Sequence, residues 1–110
     1  MKVSTVLTDG AAIVSVHGEV DLYSSPGLRQ EIVQWAQKRI RSLIVDLGGV
    51  TYMDSSGIAT LVEGFQLTKT YGGRFSIASP GPAIQEVLRF AHLDRIFHIF
   101  GTVEEALKRP

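Results

Sequence analysis

The sequence predicts an α/β fold: a small mixed, mostly parallel sheet of four to five strands with about four helices. Three observations carry this reading. β-rich runs alternate with segments of helical period along the chain, and such alternation folds as a largely parallel sheet with right-handed crossovers. Asp9-Gly10 separates two β-rich runs, a strong hairpin signal that adds an antiparallel edge. "SLIVDL", from Ser42 to Leu47, has the continuous apolar character of a central strand covered on both faces.

Taken in order, "KVSTVLT" and "AAIVSVHGEV" are the hairpin strands. Ile13, Val14 and Val16 call for at least one buried face. In "YSSPGLRQEIVQWAQKRI", Ser25 is expected as N-cap and Pro26 as the first helical residue. Leu28, Ile32, Trp35, Ala36 and Ile40 fall on one helical face. After "SLIVDL", Gly48-Gly49 is expected to break regularity. "SGIATLVEGFQLTKTYGG" reads as a second helix with Ile58, Leu61, Val62 and Phe65 in a stripe, ended by Gly72-Gly73. "RFSIAS" is a strand. "PGPAIQEVLRFAHL" is a third helix, with Pro82 near its start and Ile84, Val87, Leu88 and Ala91 turned inward. "RIFHIF" is a last short strand, and "TVEEALKR" a closing helix with Thr102 and Glu105 placed as a capping box.

At 110 residues, one domain spanning 1–110 is expected. Lysine plus arginine equals aspartate plus glutamate, 11 against 11, so the charge balance gives no reason to expect nucleic acid or an anionic membrane as partner. The absence of cysteine removes disulfides and thiolate chemistry together. No signal-peptide pattern and no membrane-length apolar run are present. A cytoplasmic protein is the expectation.

Sites in such sheets gather outside the carboxyl ends of the parallel strands. Two segments should meet there: "HGEVDLYSSP", with Glu19 and Asp21, and "GGVTYMDSSG". Asp54, Ser55 and Ser56 are all capping-type residues, and three in a row exceed what one helix start needs. Gly57 leaves the first turn without a side chain, so another backbone or a phosphate can approach. On local evidence capping accounts for these residues; the functional alternative is that one serine is spare, exposed and able to receive a phosphoryl group. It is not a self-sufficient nucleophile: no Gly-x-Ser-x-Gly pattern surrounds it, and no histidine lies nearby in sequence. His17, His92 and His98 are expected in or beside buried elements, in structural roles. No metal-ligand spacing and no Walker-type loop occur, so no cofactor is expected. Glu19 and Asp21 read as solvated acids or as a negative field beside the serine. Leu67 falls opposite the Ile58 stripe and is expected to be exposed; with Ile58 or Ala59 it is a candidate for a protein contact.

"HGEVDLYSSPGLRQEI" followed by "LIVDLGGVTYMDSSGIATLV" resembles the STAS-domain anti-sigma factor antagonists, and the likeness extends through "GGRFSIASPGPAIQEVLRFAHLDRIF". The resemblance implies a non-enzymatic partner switch. Ser55 would be the phosphoryl acceptor. Glu19, Asp21, Ser24, Asp54, Ser56, Gly57 and Ile58 would form the partner-binding surface. The implied partners are an anti-sigma factor that is itself a serine kinase, and a serine phosphatase, with no direct nucleic acid and no membrane. Unphosphorylated protein would bind the anti-sigma factor and free the sigma factor; phosphorylation would end binding. Alternatives are a STAS subunit of a stress-signalling assembly or of a lipid or anion transport system, and a receiver-like domain phosphorylated on Asp54. The receiver reading lacks paired acids at the end of the first strand, which ends in a hairpin, and lacks a lysine in "RIFHIF". A small enzyme using the same patch lacks a triad, metal cluster or phosphate loop.

Overall fold

The structure, a computed structural model, describes residues 1–108. Its elements are β1 (Lys2–Thr8), β2 (Ala11–Val20), α1 (Ser25–Gln37), β3 (Ser42–Met53), α2 (Ser55–Lys69), β4 (Arg74–Ala78), α3 (Pro82–Phe90), β5 (His98–Phe100) and α4 (Val103–Lys108), with a 3-10 turn at Leu93–Arg95. The five strands lie in chain order, β1-β2-β3-β4-β5. β1 pairs antiparallel with β2; every later pairing is parallel. Asp9 and Gly10 take φ of 45° and 82°, the left-handed pair that a two-residue hairpin turn requires.

Side chains alternate between the two faces of the sheet. On one face Val14, Val16, Leu43, Val45, Leu47, Phe75 and Ile77 pack with Leu28 and Ile32 of α1, Leu61 of α2, and Ile84 and Leu88 of α3. On the other, Ala11, Ile44 and Ala78 meet Ala106 of α4 in a smaller cluster. A Cβ on Gly64 would fall 2.6 Å from Phe75 Cε1 and 2.9 Å from Ile32 Cγ2. Glycine there is what lets α2 settle between α1 and the sheet.

Several sequence expectations shift. The N-cap of α1 is Ser24, with Ser25 already helical, because the Ser25 N–H donates to Asp21 O at 2.8 Å and closes a turn one residue earlier. α1 ends at Gln37, so Ile40 lies outside it. Gly48-Gly49 does not end β3, which runs on to Met53. Instead, the β2–β3 register slips there: Ser15 pairs with Asp46 but His17 with Gly49. The glycines absorb a bulge. At Gly49 a Cβ would lie 2.3 Å from the His17 ring. α3 ends at Phe90 with Ala91 exposed, and β5 spans three residues. His17, His92 and His98 are all exposed rather than buried: His17 lies over the glycine gap, His92 takes the left-handed position after α3 with φ 61°, and His98 starts an edge strand. Thr102 Oγ1 accepts from the Glu105 N–H at 3.1 Å, the expected cap of α4.

Candidate functional site

Parallel pairing of β2 with β3 puts Val20 beside Met53, so the segments after both strands emerge together. Asp54 N donates to Val20 O at 3.1 Å and ties them. The first segment is locked from within. Asp21 Oδ1 accepts from the N–H groups of Tyr23 and Ser24, both at 3.0 Å. Ser24 Oγ accepts from Asp21 N at 2.9 Å and shares its proton between Glu19 O and Asp21 Oδ1. Ser24 is thereby an internal brace of the loop. Glu19 stays exposed.

The second segment starts α2. Asp54, in an extended conformation, is the N-cap, and its Oδ1 accepts from both the N–H and the hydroxyl of Ser56, at 2.9 and 2.5 Å. The Ser56 hydroxyl holds the Asp54 carboxyl below its ordinary value. Slight burial opposes this, and the N–H groups of Ser56, Gly57 and Leu22 reinforce it. Asp21 is likewise lowered, first by the Ser24 N–H, then against burial by the Ser24 hydroxyl and the Tyr23 N–H, with the Asp54 charge pushing the other way. Both acids are thus held as carboxylates by local donors. Gly57 is buried, and a Cβ there would lie 2.6 Å from Met53 Cγ and 2.8 Å from Val20 Cγ1. Its bare Cα is occupied by the protein's own core, which corrects the expectation of room for a phosphate at that atom.

Ser55 differs from its neighbours. It is exposed, and its hydroxyl has no hydrogen-bond partner among the described residues. It stands at the first helical position of a 15-residue helix, whose dipole favours an anion there, while the N–H groups of Ser56, Gly57 and Ile58 already donate to Asp54. The capping duty that three adjacent residues could share falls to Asp54 and Ser56, and Ser55 is the spare one.

Ser55 also lines a groove of about 620 Å³ together with Met53, Ile58, Val87 and Phe90. Phe90 is 86% exposed. The sequence reading turned Val87 inward and missed Phe90; the available signal was an aromatic residue off the Ile84/Leu88 stripe. Leu22 and Tyr23, 68% and 91% exposed, were also missed, although two large apolar residues in a loop directly after Glu19 and Asp21 are a recognisable sign. Leu67 is half-buried in a separate groove between α1 and α2, beside Val33 and Tyr71, so it does not share the Ile58 surface.

The model of the STAS domain matches residues 2–106. The anti-sigma F factor antagonist of Paenibacillus polymyxa is 26% identical over 99 residues, which are 89% of this chain and 85% of that protein. The crystal structure of an anti-sigma factor antagonist from Mycobacterium paratuberculosis superposes with a TM-score of 0.89 at 28% identity, over 96% of this chain and 90% of that one. SpoIIAA, a Bacillus cell fate determinant and anti-sigma factor antagonist, shares the fold at 21–22% identity in both its unphosphorylated form (TM-score 0.86, 98% and 95% of the two chains) and its phosphorylated form (TM-score 0.79, 98% of each chain). No helix among the described residues is long and apolar enough to cross a membrane. A family model spanning nearly the whole chain, and a fold shared over as much of it, leave one conclusion: the chain belongs to the STAS domain family.

Proposed function

We propose that this protein is an anti-sigma factor antagonist whose binding is switched off by phosphorylation of Ser55. The observation that carries the proposal is the contrast at the start of α2: Asp54 and Ser56 bond to each other, while the Ser55 hydroxyl is exposed and unengaged. The names of the relatives support the antagonist role, and the two forms of SpoIIAA make a phosphorylated state a natural one for this fold.

The partner is an anti-sigma factor that is also a serine kinase. Its binding surface on this chain comprises Glu19, Asp21, Asp54, Ser56 and Ile58, with Ser24 and Gly57 acting from behind as supports. In the transfer, Ser55 Oγ forms a bond to the γ-phosphorus of ATP and the bond to ADP breaks. The hydroxyl proton leaves to a base on the kinase, since no base among the described residues is bonded to it. A serine phosphatase reverses the reaction by hydrolysis. The protein itself is a regulator and catalyses nothing.

A phosphoserine carries roughly −1.5 to −2 charge at neutral pH. Its own helix tolerates this charge, because the dipole of α2 favours an anion at its N-terminus. A docked partner does not. The dianion adds to the carboxylates of Asp54 and Asp21 and must be desolvated against whatever covers the Ile58–Phe90 groove. A loss of ~3 kcal/mol weakens binding more than a hundredfold.

The test combines purified protein, an anti-sigma kinase and ATP. Wild type takes one acid-stable phosphate and then loses affinity. Ser55→Ala takes none and stays bound. Acid-labile phosphate, or a Ser55→Ala protein labelled as fast as wild type, would move the acceptor elsewhere.

A further inference from the structure

The sheet ends on two very different edges. β5 is three residues long, whereas β1 runs seven residues with its outer side unpaired. Exposed edges are usually blunted by proline, bulges or charges. β1 has none of these beyond Lys2 at its first position: its register with β2 is unbroken from Lys2 to Thr8, and it contains no proline. It instead exposes Val6 and Leu7, at 60% and 57%.

We propose that β1 pairs antiparallel with β1 of a second copy, joining two sheets across a two-fold axis at Thr5. A two-fold axis perpendicular to the sheet keeps each face on its own side, so paired residues must match in face. Centring on Thr5 meets this condition and uses the whole strand. Val3 then faces Leu7 of the second copy, Ser4 faces Val6, Lys2 faces Thr8, and Thr5 faces its own copy. Among the paired strand residues no like charges oppose each other; beside the axis, each Thr5 Oγ1 donates to the Glu31 carboxylate of its own copy at 2.5 Å, and these two acids are the one like-charge pair that the join brings nearer. The strand ends are complementary as well. Lys2 at one end and Asp9 just past the other have no ion pair within the chain among the described residues. The two-fold axis brings each Lys2 alongside the Asp9 that follows the opposing Thr8. The occupant that fits this edge is therefore the edge itself. Ser55 follows β3, two strands in from the joined edge, so the dimer leaves the switch serine accessible. The inference does not depend on Ser55 being an acceptor.

One strand pair is a small interface, so the association is weak and appears at high concentration. Sedimentation and light scattering on the intact chain should show the mass rising from 12.0 kDa toward twice that value as concentration rises to about 1 mM. Val6→Lys should weaken dimerisation about tenfold or more by setting two charges on the apolar edge, and Ser4→Glu added to it should restore the dimer by facing each lysine with an acid. The chain has no cysteine, which permits a second readout: Thr5→Cys should oxidise to a linked dimer faster than Leu7→Cys, since only position 5 meets itself. A monomer throughout the concentration range overturns the proposal. So does a dimer that Val6→Lys leaves intact, which would place the contact on another surface, or equal cross-linking at positions 5 and 7.

Discussion

Ser56 Oγ donates to Asp54 Oδ1 at 2.5 Å, and Ser55, which stands between them in sequence, takes no part in that bond. Two adjacent serines of the same chemistry are therefore unequal. One closes the cap of α2, and the other offers its hydroxyl to solvent. Ser56→Ala is expected to remain a kinase substrate, labelled at a rate within a few-fold of wild type, and to melt at a lower temperature. Fragment-ion mass spectrometry should place the phosphate on Ser55 in both wild type and Ser56→Ala. Phosphate found on Ser56 of the wild-type protein would reverse the assignment.

The carboxyls of Asp21 and Asp54 are both lowered from the ordinary 3.8. An acid depressed by folding contributes stability that is present above its unfolded value and is lost as pH falls through the folded one. Carboxyl NMR titrations should give midpoints below 3.8 for both residues. Thermal stability should fall as pH drops below that value, with the first turn of α2 loosening. Asp54→Asn keeps an oxygen for the Ser56 N–H, so it should hold the cap while removing this site's share of the acid sensitivity. An Asp54→Asn protein as acid-sensitive as wild type would contradict that account.

Gly57 and Gly64 are closed from behind by Met53 with Val20, and by Phe75 with Ile32. Alanine at either position forces buried side chains to shift, which should cost about 1–3 kcal/mol. Urea unfolding should show a lower midpoint with an unchanged slope. Gly57→Ala should also disturb Ser55, two residues away, whereas Gly64→Ala should leave labelling of the folded protein intact.

Phe90 and Leu88 are neighbours on α3 with opposite fates: Phe90 is 86% exposed and Leu88 is fully buried. Leu88→Ala should destabilise the fold by about 2–5 kcal/mol. Phe90→Ala should leave the melting temperature nearly unchanged while weakening the anti-sigma factor about tenfold, as loss of an apolar anchor does. Calorimetry on both variants separates the two effects. A Phe90→Ala protein with wild-type affinity would remove the Ile58–Phe90 groove from the proposed interface.

Local chemistry made most of the fold readable in advance. Asp9-Gly10 dictated the hairpin because its turn needs left-handed backbone twice. The Ile32, Leu61 and Leu88 stripes announced helices by their period, and Thr102 capped α4 as its spacing suggested. Asp54, Ser55 and Ser56 were recognisable as a surplus of capping groups at one helix start. Other features depended on contacts between segments far apart in sequence. Gly48-Gly49 has the composition of a stop, but strand pairing carries β3 through it, because the ladder with β2 rewards continued hydrogen bonding and the bulge absorbs the extra residues. Which serine was spare depended on where the Asp54 carboxylate turned. That direction follows from Asp54 N being anchored to Val20 O, a bond between strands. Val87, Phe90 and Ala91 became a groove wall only once α3 lay beside the start of α2. A residue's neighbours along the chain set its backbone preferences, but exposure and hydrogen-bond partners are properties of the packed assembly. Tertiary structure therefore decided which hydroxyl faces water.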